Sequence, residues 1–291
     1  MNAQLNHIQE FFLNTSDKTA IFVRDWPALS SHAPGILLMH GLGEHSGRYL
    51  HVARFFQSLG FRVRSFDHRG HGQSQGPRGD VPDTTTLLND IQLVIKDFST
   101  QLMSPPLIFA HSMGGLFSCR VALEGLVAIK GLILSSPALS VKTSGFQKFI
   151  FAIARHITPH LAVTHGTNGR YLSHDQKVVR DYQTDPLVHS RISACLFQSM
   201  LNTMAYVKKN CHNLQVPLLV LVAGDDLVVN PSGAKAFVEK LSESGHTTKV
   251  KSIIYPGFYH EIFNEKEAAI VFDDVQKWLK DQNLLPDKPS I

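Results

Sequence analysis

A serine, a pair of aspartates and a histidine follow one another along the chain in an order that suits nucleophilic catalysis: Ser112, then Asp225-Asp226, then His260. A serine hydroxyl is a weak nucleophile at neutral pH and needs a neighbouring base to take its proton. An imidazole supplies that base, and a carboxylate behind it fixes the tautomer and stabilises the imidazolium. Ser112 stands in "AHSMGG" (110–115), flanked by the small residues Ala110, Gly114 and Gly115. That pattern suits a tight strand-to-helix turn that pushes the serine outward, because bulk two residues to either side would drive strand into helix. The usual pattern begins with glycine, and Ala110 is small enough to replace it. His260 sits in "GFYHEIF" (257–263) and is the only one of the 16 histidines beyond both aspartates and the last strand-like segment, since His246 precedes that strand. Spacing alone leaves the choice between Asp225 and Asp226 open.

The tetrahedral intermediate of acyl transfer needs two N–H donors for its oxyanion. One belongs to the residue after the serine, Met113. The other comes from the loop after an early strand. "HGLGEH" (40–45) is such a loop, in which Gly41 and Gly43 free the backbone to turn its amides inward, and Leu42 N–H is the expected donor. His40, Glu44 and His45, or His68 and His71, do not read as a metal site, because glycines at 41, 43 and 70 break the helix that ligand spacing would require. The chemistry calls for neither metal nor cofactor.

The elements around these residues alternate. Residues 11–26 read as a hairpin turning at 14–18. "GILLMHG" (35–41) is an apolar run of the buried-strand kind. A helix over 48–59 and a strand over 61–67 follow. The spacing of Leu87, Leu88, Ile91, Val94, Ile95 and Phe98 predicts a helix over 84–102. Strands at 107–110 and 129–139 bracket a helix from about 113. The rhythm resumes with a strand at 216–224, a helix opened by Asn230-Pro231, a strand at 249–257 and a helix over 265–282. The fold class is therefore α/β: one domain over 1–291, with a mostly parallel sheet and helices on both faces. Strand ends then carry Ser112, the aspartates and His260 to the carboxyl edge of the sheet, where such folds place their sites.

Residues from about 140 to 210 break the alternation and read as an inserted, helical cap. There Phe146, Phe149, Ile150, Ile153, Ala154 and Ile157 form one apolar stripe, with Phe151 and Ala152 off it. The stripe suits a lid that receives an acyl chain or leans on lipid, or ordinary packing onto the sheet.

Bulk composition narrows the rest. The chain has 291 residues, is 43% hydrophobic and 18% charged, which excludes a disordered chain. Its 28 basic and 24 acidic residues give +4, with no basic cluster interleaved with aromatics, so nucleic acid is not an expected partner. That mild charge leaves room for transient contact with anionic membrane surfaces. Cys119, Cys195 and Cys211 are far apart and show no disulfide or zinc spacing. The N-terminus lacks a secretory pattern and no segment is long and apolar enough to span a bilayer. A cytoplasmic protein, peripheral to membranes at most, is expected.

The chain resembles the monoacylglycerol lipase and lysophospholipase branch of the α/β-hydrolases. The resemblance rests on "HGLGEHSGRY" (40–49), "FDHRGHGQSQG" (66–76), "AHSMGG" (110–115), "YLSHDQKVVRDYQTDPLVHSRIS" (171–193), "GDD" (224–226) and "GFYH" (257–260). It runs from about residue 35 to the end. It implies an α/β-hydrolase fold with a cap, and Asp226, four residues ahead of Asn230, as the acid. It also implies that Glu44, Arg48 and Tyr182 face the polar head of a small single-chain lipid ester. Two positions depart from the mammalian pattern: Val229 stands in place of a cysteine and Phe263 in place of a histidine. The expected function is that of a serine hydrolase cleaving such esters, a monoacylglycerol lipase or lysophospholipase. The alternatives are an esterase or peptidase acting on another small substrate, and a non-catalytic binding protein on the same fold.

Overall fold

Half-buried alternation at the start of the chain gives an antiparallel hairpin, β1 (Gln9–Asn14) against β2 (Ala20–Trp26), with Phe11 opposite Val23. The structure, a computed structural model, describes residues 8–28, 30–141, 151, 153–245 and 249–286. After the hairpin come β3 (Gly35–Met39), α1 (Leu50–Ser58), β4 (Arg62–Phe66), α2 (Thr86–Ser99), β5 (Leu107–His111), α3 (Ser112–Glu124) and β6 (Gly131–Ser135). A different kind of segment follows, with β7 (Ala162–Thr164), α4 (Gln176–Thr184), β8 (Arg191–Ser193) and α5 (Ala194–Asn210). The chain then returns to the alternation in β9 (Leu218–Ala223), α6 (Ser232–Glu243), β10 (Val250–Tyr255) and α7 (Ala269–Asp281).

Eight strands form one sheet in the order β1-β2-β4-β3-β5-β6-β9-β10. β2 runs antiparallel to β1 and β4, and the other neighbours are parallel. The central strands β3, β5, β6 and β9 bury every residue, as parallel strands covered on both faces must. Successive side chains point to opposite faces, so each strand feeds two cores. Leu37, Met39, Ile108 and Leu132 meet Leu88, Ile91, Leu116 and Leu196 of α2, α3 and α5. Ile36, Leu38, Phe109 and Ile133 meet Val52 and Phe56 of α1 and Val275 and Trp278 of α7. The expected mostly parallel sheet with helices on both faces is what the chain forms. The helical pattern at 48–59 divides into a 3₁₀ turn at Ser46–Tyr49 and then α1, because the His45 side chain accepts the Gly47 N–H and tightens the first turn. Asn230 Oδ1 accepts the Ser232 N–H at 3.1 Å and so starts α6 within a residue of the expected place.

The segment between β6 and β9 is less purely helical than its sequence suggests. β7 and β8 pair antiparallel, with Val163 opposite Ile192. Strands of three residues are too short to leave a periodicity. Of the apolar stripe, Phe146, Phe149 and Ile150 lie outside the described residues, as does Ala152. Ile153 and Ile157 are exposed, whereas Phe151, off the stripe, turns inward and stacks on Phe197 at 4.2 Å. Backbone bonds tie this segment to the sheet's loops: His189 N–H to Gly43 O and Leu172 O to the Glu261 N–H, both at 2.8 Å. Gly43, at φ +78°, is needed there because a Cβ would lie 2.3 Å from the His189 carbonyl oxygen. Among the described residues no helix is long and apolar enough to cross a membrane.

Candidate active site

Strand β5 passes into α3 without a connecting loop, and the junction is Ser112. His111 is still extended, at φ −106° and ψ 141°, whereas Ser112 sits at φ +51°. That left-handed value is costly for a residue with a Cβ and persists only where the surroundings impose it. Neighbours leave little choice. A Cβ on Gly114 would lie 2.5 Å from the His40 carbonyl oxygen and 2.9 Å from that of Met39, so a methyl there would push α3 off β3. Ala110 is fully buried within the helix-packed core, which accommodates its methyl.

β9 ends at a turn in which Asp225 is exposed and Asp226 buried. Asp226 Oδ1 accepts the N–H groups of Val228 and Val229 at 2.8 and 2.9 Å. The loop after β10 brings His260 over the sheet edge. Its Nδ1 lies 2.7 Å from Asp226 Oδ2 and its Nε2 2.9 Å from Ser112 Oγ. A carboxylate can only accept, so Nδ1 carries the proton and Nε2 offers its lone pair to the Ser112 hydroxyl. Burial opposes charging His260, but the Asp226 carboxylate outweighs it and raises the imidazole's pKa above its ordinary value. Burial likewise opposes ionising Asp226, and the His260 partner together with the two N–H bonds still lowers its pKa. His111 packs its ring 4.6 Å from that of His260, and burial lowers its own pKa to about 3, so it stays neutral beside the relay.

Leu42 and Met113 line the same cavity as Ser112 and His260. Met113 is in the first turn of α3, where an N–H has no intrahelical acceptor. Glu44 and Tyr182 line the cavity as well, and Arg48 lies behind them. Glu44 Oε1 accepts from Gly41 N–H at 2.6 Å and from the Tyr49 hydroxyl at 2.7 Å, while Oε2 accepts from Arg48 at 2.9 Å. The Arg48 guanidinium also grips Glu261 through two bonds of 2.6 and 2.9 Å and lies 4.8 Å from the Tyr182 ring centre. Burial would raise the Glu261 pKa, but this fork holds it down at about 2. Burial keeps the Glu44 carboxyl above the ordinary range despite Arg48. Sequence reading missed Glu261 and Tyr49. The signal for Glu261 was available, as a carboxylate directly after the histidine in "HEIFNE" (260–265).

The cavity has a volume of about 260 Å³. Phe151, Ile192, Phe197, Met200 and Val228 make part of it apolar, and Glu44, Glu261 and Tyr182 gather around Arg48 in another part. Of the two positions that depart from the mammalian pattern, Val229 lines the cavity, whereas Phe263 packs at 4.9 Å on Phe109 in the core. The arrangement can activate a hydroxyl, hold an oxyanion and admit an elongated apolar group beside a polar one.

Comparison with known proteins finds a family model and relatives that cover most of the chain. The family model described as "Serine aminopeptidase, S33" matches residues 31–267. A monoacylglycerol lipase of Mycolicibacterium smegmatis is 31% identical over 254 residues, covering 84% of this chain and 87% of that protein. An uncharacterized abhydrolase domain-containing protein of Dictyostelium discoideum is 31% identical over 96% of this chain, which spans only 30% of that longer protein. The crystal structure of Paleococcus ferrophilus monoacylglycerol lipase superposes with a TM-score of 0.80 at 31% identity, covering 90% of this chain and 99% of that one.

Proposed function

Because the chain belongs to the S33 family of serine hydrolases and is an α/β-hydrolase of the monoacylglycerol lipase type, we propose that it hydrolyses monoacylglycerols through an acyl-enzyme on Ser112. The observation that carries this reading is the unbroken line Asp226–His260–Ser112, with bonds of 2.7 and 2.9 Å, opening on a cavity with apolar and polar parts. Ser112 Oγ attacks the ester carbonyl as His260 Nε2 takes its proton. The oxyanion is held by the Leu42 and Met113 N–H groups, each donor contributing about 3–4 kcal/mol. His260 returns the proton to the leaving glycerol oxygen, and a water repeats the sequence on the acyl-enzyme.

The polar part of the cavity favours a neutral head group. Its two carboxylates, Glu44 and Glu261, already share Arg48, and no lysine or arginine is among the described residues lining the cavity. A phosphate would meet acids and no free cation. The test compares a monoacylglycerol with a lysophosphatidylcholine of equal acyl length. The glyceride is expected to have at least tenfold higher kcat/KM, and preference for the phospholipid overturns the assignment in favour of a lysophospholipase.

Residues of about 140 to 210 serve in this reading as a cap that meets the lipid surface. Ile157 and Leu161 are 73% and 63% exposed, with Ile153 and Val163 exposed on the same segment. Apolar side chains so placed gain by entering a lipid interface, at about 1.5–3 kcal/mol for full burial of each. The double variant Ile157→Glu, Leu161→Glu is expected to lower hydrolysis of vesicle-borne monoacylglycerol at least tenfold while a soluble short-chain ester is cleaved at the original rate. Equal loss on both substrates would count against surface contact. The three cysteines are free and buried, which fits a reducing compartment, and the cytoplasmic face of a membrane is the setting we propose.

A further inference from the structure

Three buried bonds converge on the two peptide units around Gly41, and a fourth orients the His40 ring that makes one of them. His68 N–H donates to His40 Nε2 at 2.9 Å. A ring nitrogen that accepts carries no proton, so in neutral His40 the proton is on Nδ1. That Nδ1–H donates to the Gly41 carbonyl oxygen at 2.7 Å. His68 Nε2–H donates in turn to the His40 carbonyl oxygen at 3.1 Å. The Gly41 N–H is held by Glu44 Oε1 at 2.6 Å. Both rings are fully buried, with centres 4.5 Å apart.

A trans peptide unit is planar, and its C=O and N–H point in opposite directions. The carbonyl of the Gly41–Leu42 unit is fixed on His40, so the other end of that same unit, Leu42 N–H, is fixed as well. The preceding unit is held at both ends, its oxygen by His68 and its N–H by Glu44. We propose that His40 and His68 are positioning residues that clamp the Gly41–Leu42 peptide so that its N–H is set for the oxyanion before substrate arrives. A preorganised donor gives its full value because nothing has to turn when charge develops. The clamp rests on the reading of Ser112 as nucleophile and Leu42 as oxyanion donor. It adds that each imidazole works through one defined nitrogen, neither ring touching the substrate.

The test separates the two nitrogens of His40 in the full-length protein. Asparagine places an N–H near the Nδ1 position and so keeps the donor to Gly41. Glutamine reaches the Nε2 position and keeps only the acceptor for His68. Losing one oxyanion donor costs about 10²–10³ in kcat, so His40→Gln is expected to lower kcat about 10²-fold with KM unchanged. His40→Asn is expected to restore at least tenfold of that loss. Affinity for an alkylboronic acid, whose tetrahedral adduct on Ser112 puts an oxygen in the same place, is expected to follow kcat in the same order. Glutamine equal to or better than asparagine, or a change in KM in place of kcat, overturns the clamp. If thermal melting shows that neither variant folds, the comparison moves to His68. There glutamine keeps the Nε2-side donor and asparagine does not, and glutamine must be the more active or the clamp fails. Ser112→Ala distinguishes the two failures: turnover retained without Ser112 refutes the underlying reading, whereas turnover lost with the variant order reversed refutes the clamp alone.

Discussion

Ser112→Ala is expected to lower kcat by about five to six orders of magnitude, the loss typical when the nucleophile of a serine–histidine relay is removed. Alanine retains the Cβ and tolerates the φ of +51° about as poorly as serine does, so the elbow and the fold should persist. Circular dichroism and the thermal midpoint should therefore match the parent within error. A fluorophosphonate, which reacts only with an activated serine, should label the parent at Ser112 and leave the variant unmodified. Both measurements bear on the alternative of a non-catalytic binding protein, which would show no labelling in either form. Substantial turnover by a folded Ser112→Ala protein would falsify the nucleophile assignment.

Asp226→Asn carries the second large effect, a loss in kcat of about 10⁴-fold, while Asp225→Asn should leave kcat within about twofold. Asparagine presents an N–H where the carboxylate presented only acceptors. His260 Nδ1 then accepts, the proton moves to Nε2, and the face 2.9 Å from Ser112 Oγ has nothing left to take a proton with. The pH profile should shift too, and its sign is fixed by the environment. Burial disfavours charged His260, and Asp226 with the nearby acids overcomes it to raise the pKa. In the parent, activity is full above that raised pKa and is lost as pH falls through it. Removing the charge at 226 lets burial prevail, so the acid limb of kcat/KM should move to lower pH. Asp225 is exposed, and the carboxylate bonded to His260 is that of Asp226. An Asp225→Asn variant that lost as much as Asp226→Asn would exchange the two assignments.

Chain order and strand ends were enough to bring Ser112, His260 and an aspartate to one edge, because open parallel sheets put their loops there. They could not separate Asp225 from Asp226. That distinction depends on which carboxylate turns under the sheet edge to meet the Val228 and Val229 N–H groups, a turn geometry with no periodicity. The buried strands and the helices α2 and α7 were legible because apolar spacing repeats over many residues. The paired strands β7 and β8, three residues each, were not. Glu44 shows a subtler limit. The family resemblance implied that it faces the polar head of the substrate; it lines the cavity, and Gly41, Tyr49 and Arg48 occupy its oxygens there. A one-dimensional pattern says that a carboxylate is near the site. Only packing says who holds it.

The backbone bonds from His189 to Gly43 and from Glu261 to Leu172 have a consequence for engineering. One reaches the loop that carries Leu42, and the other reaches the residue next to His260. The stretch between β6 and β9 thus walls the cavity and also braces two of the loops that line it beside Ser112. It is not an interchangeable module. A graft from a relative would import new selectivity only if its own main chain reproduced both attachments, and one that fitted the cavity but missed them would slow the reaction even for a well-accommodated ester. Selectivity and turnover in this molecule are inherited together.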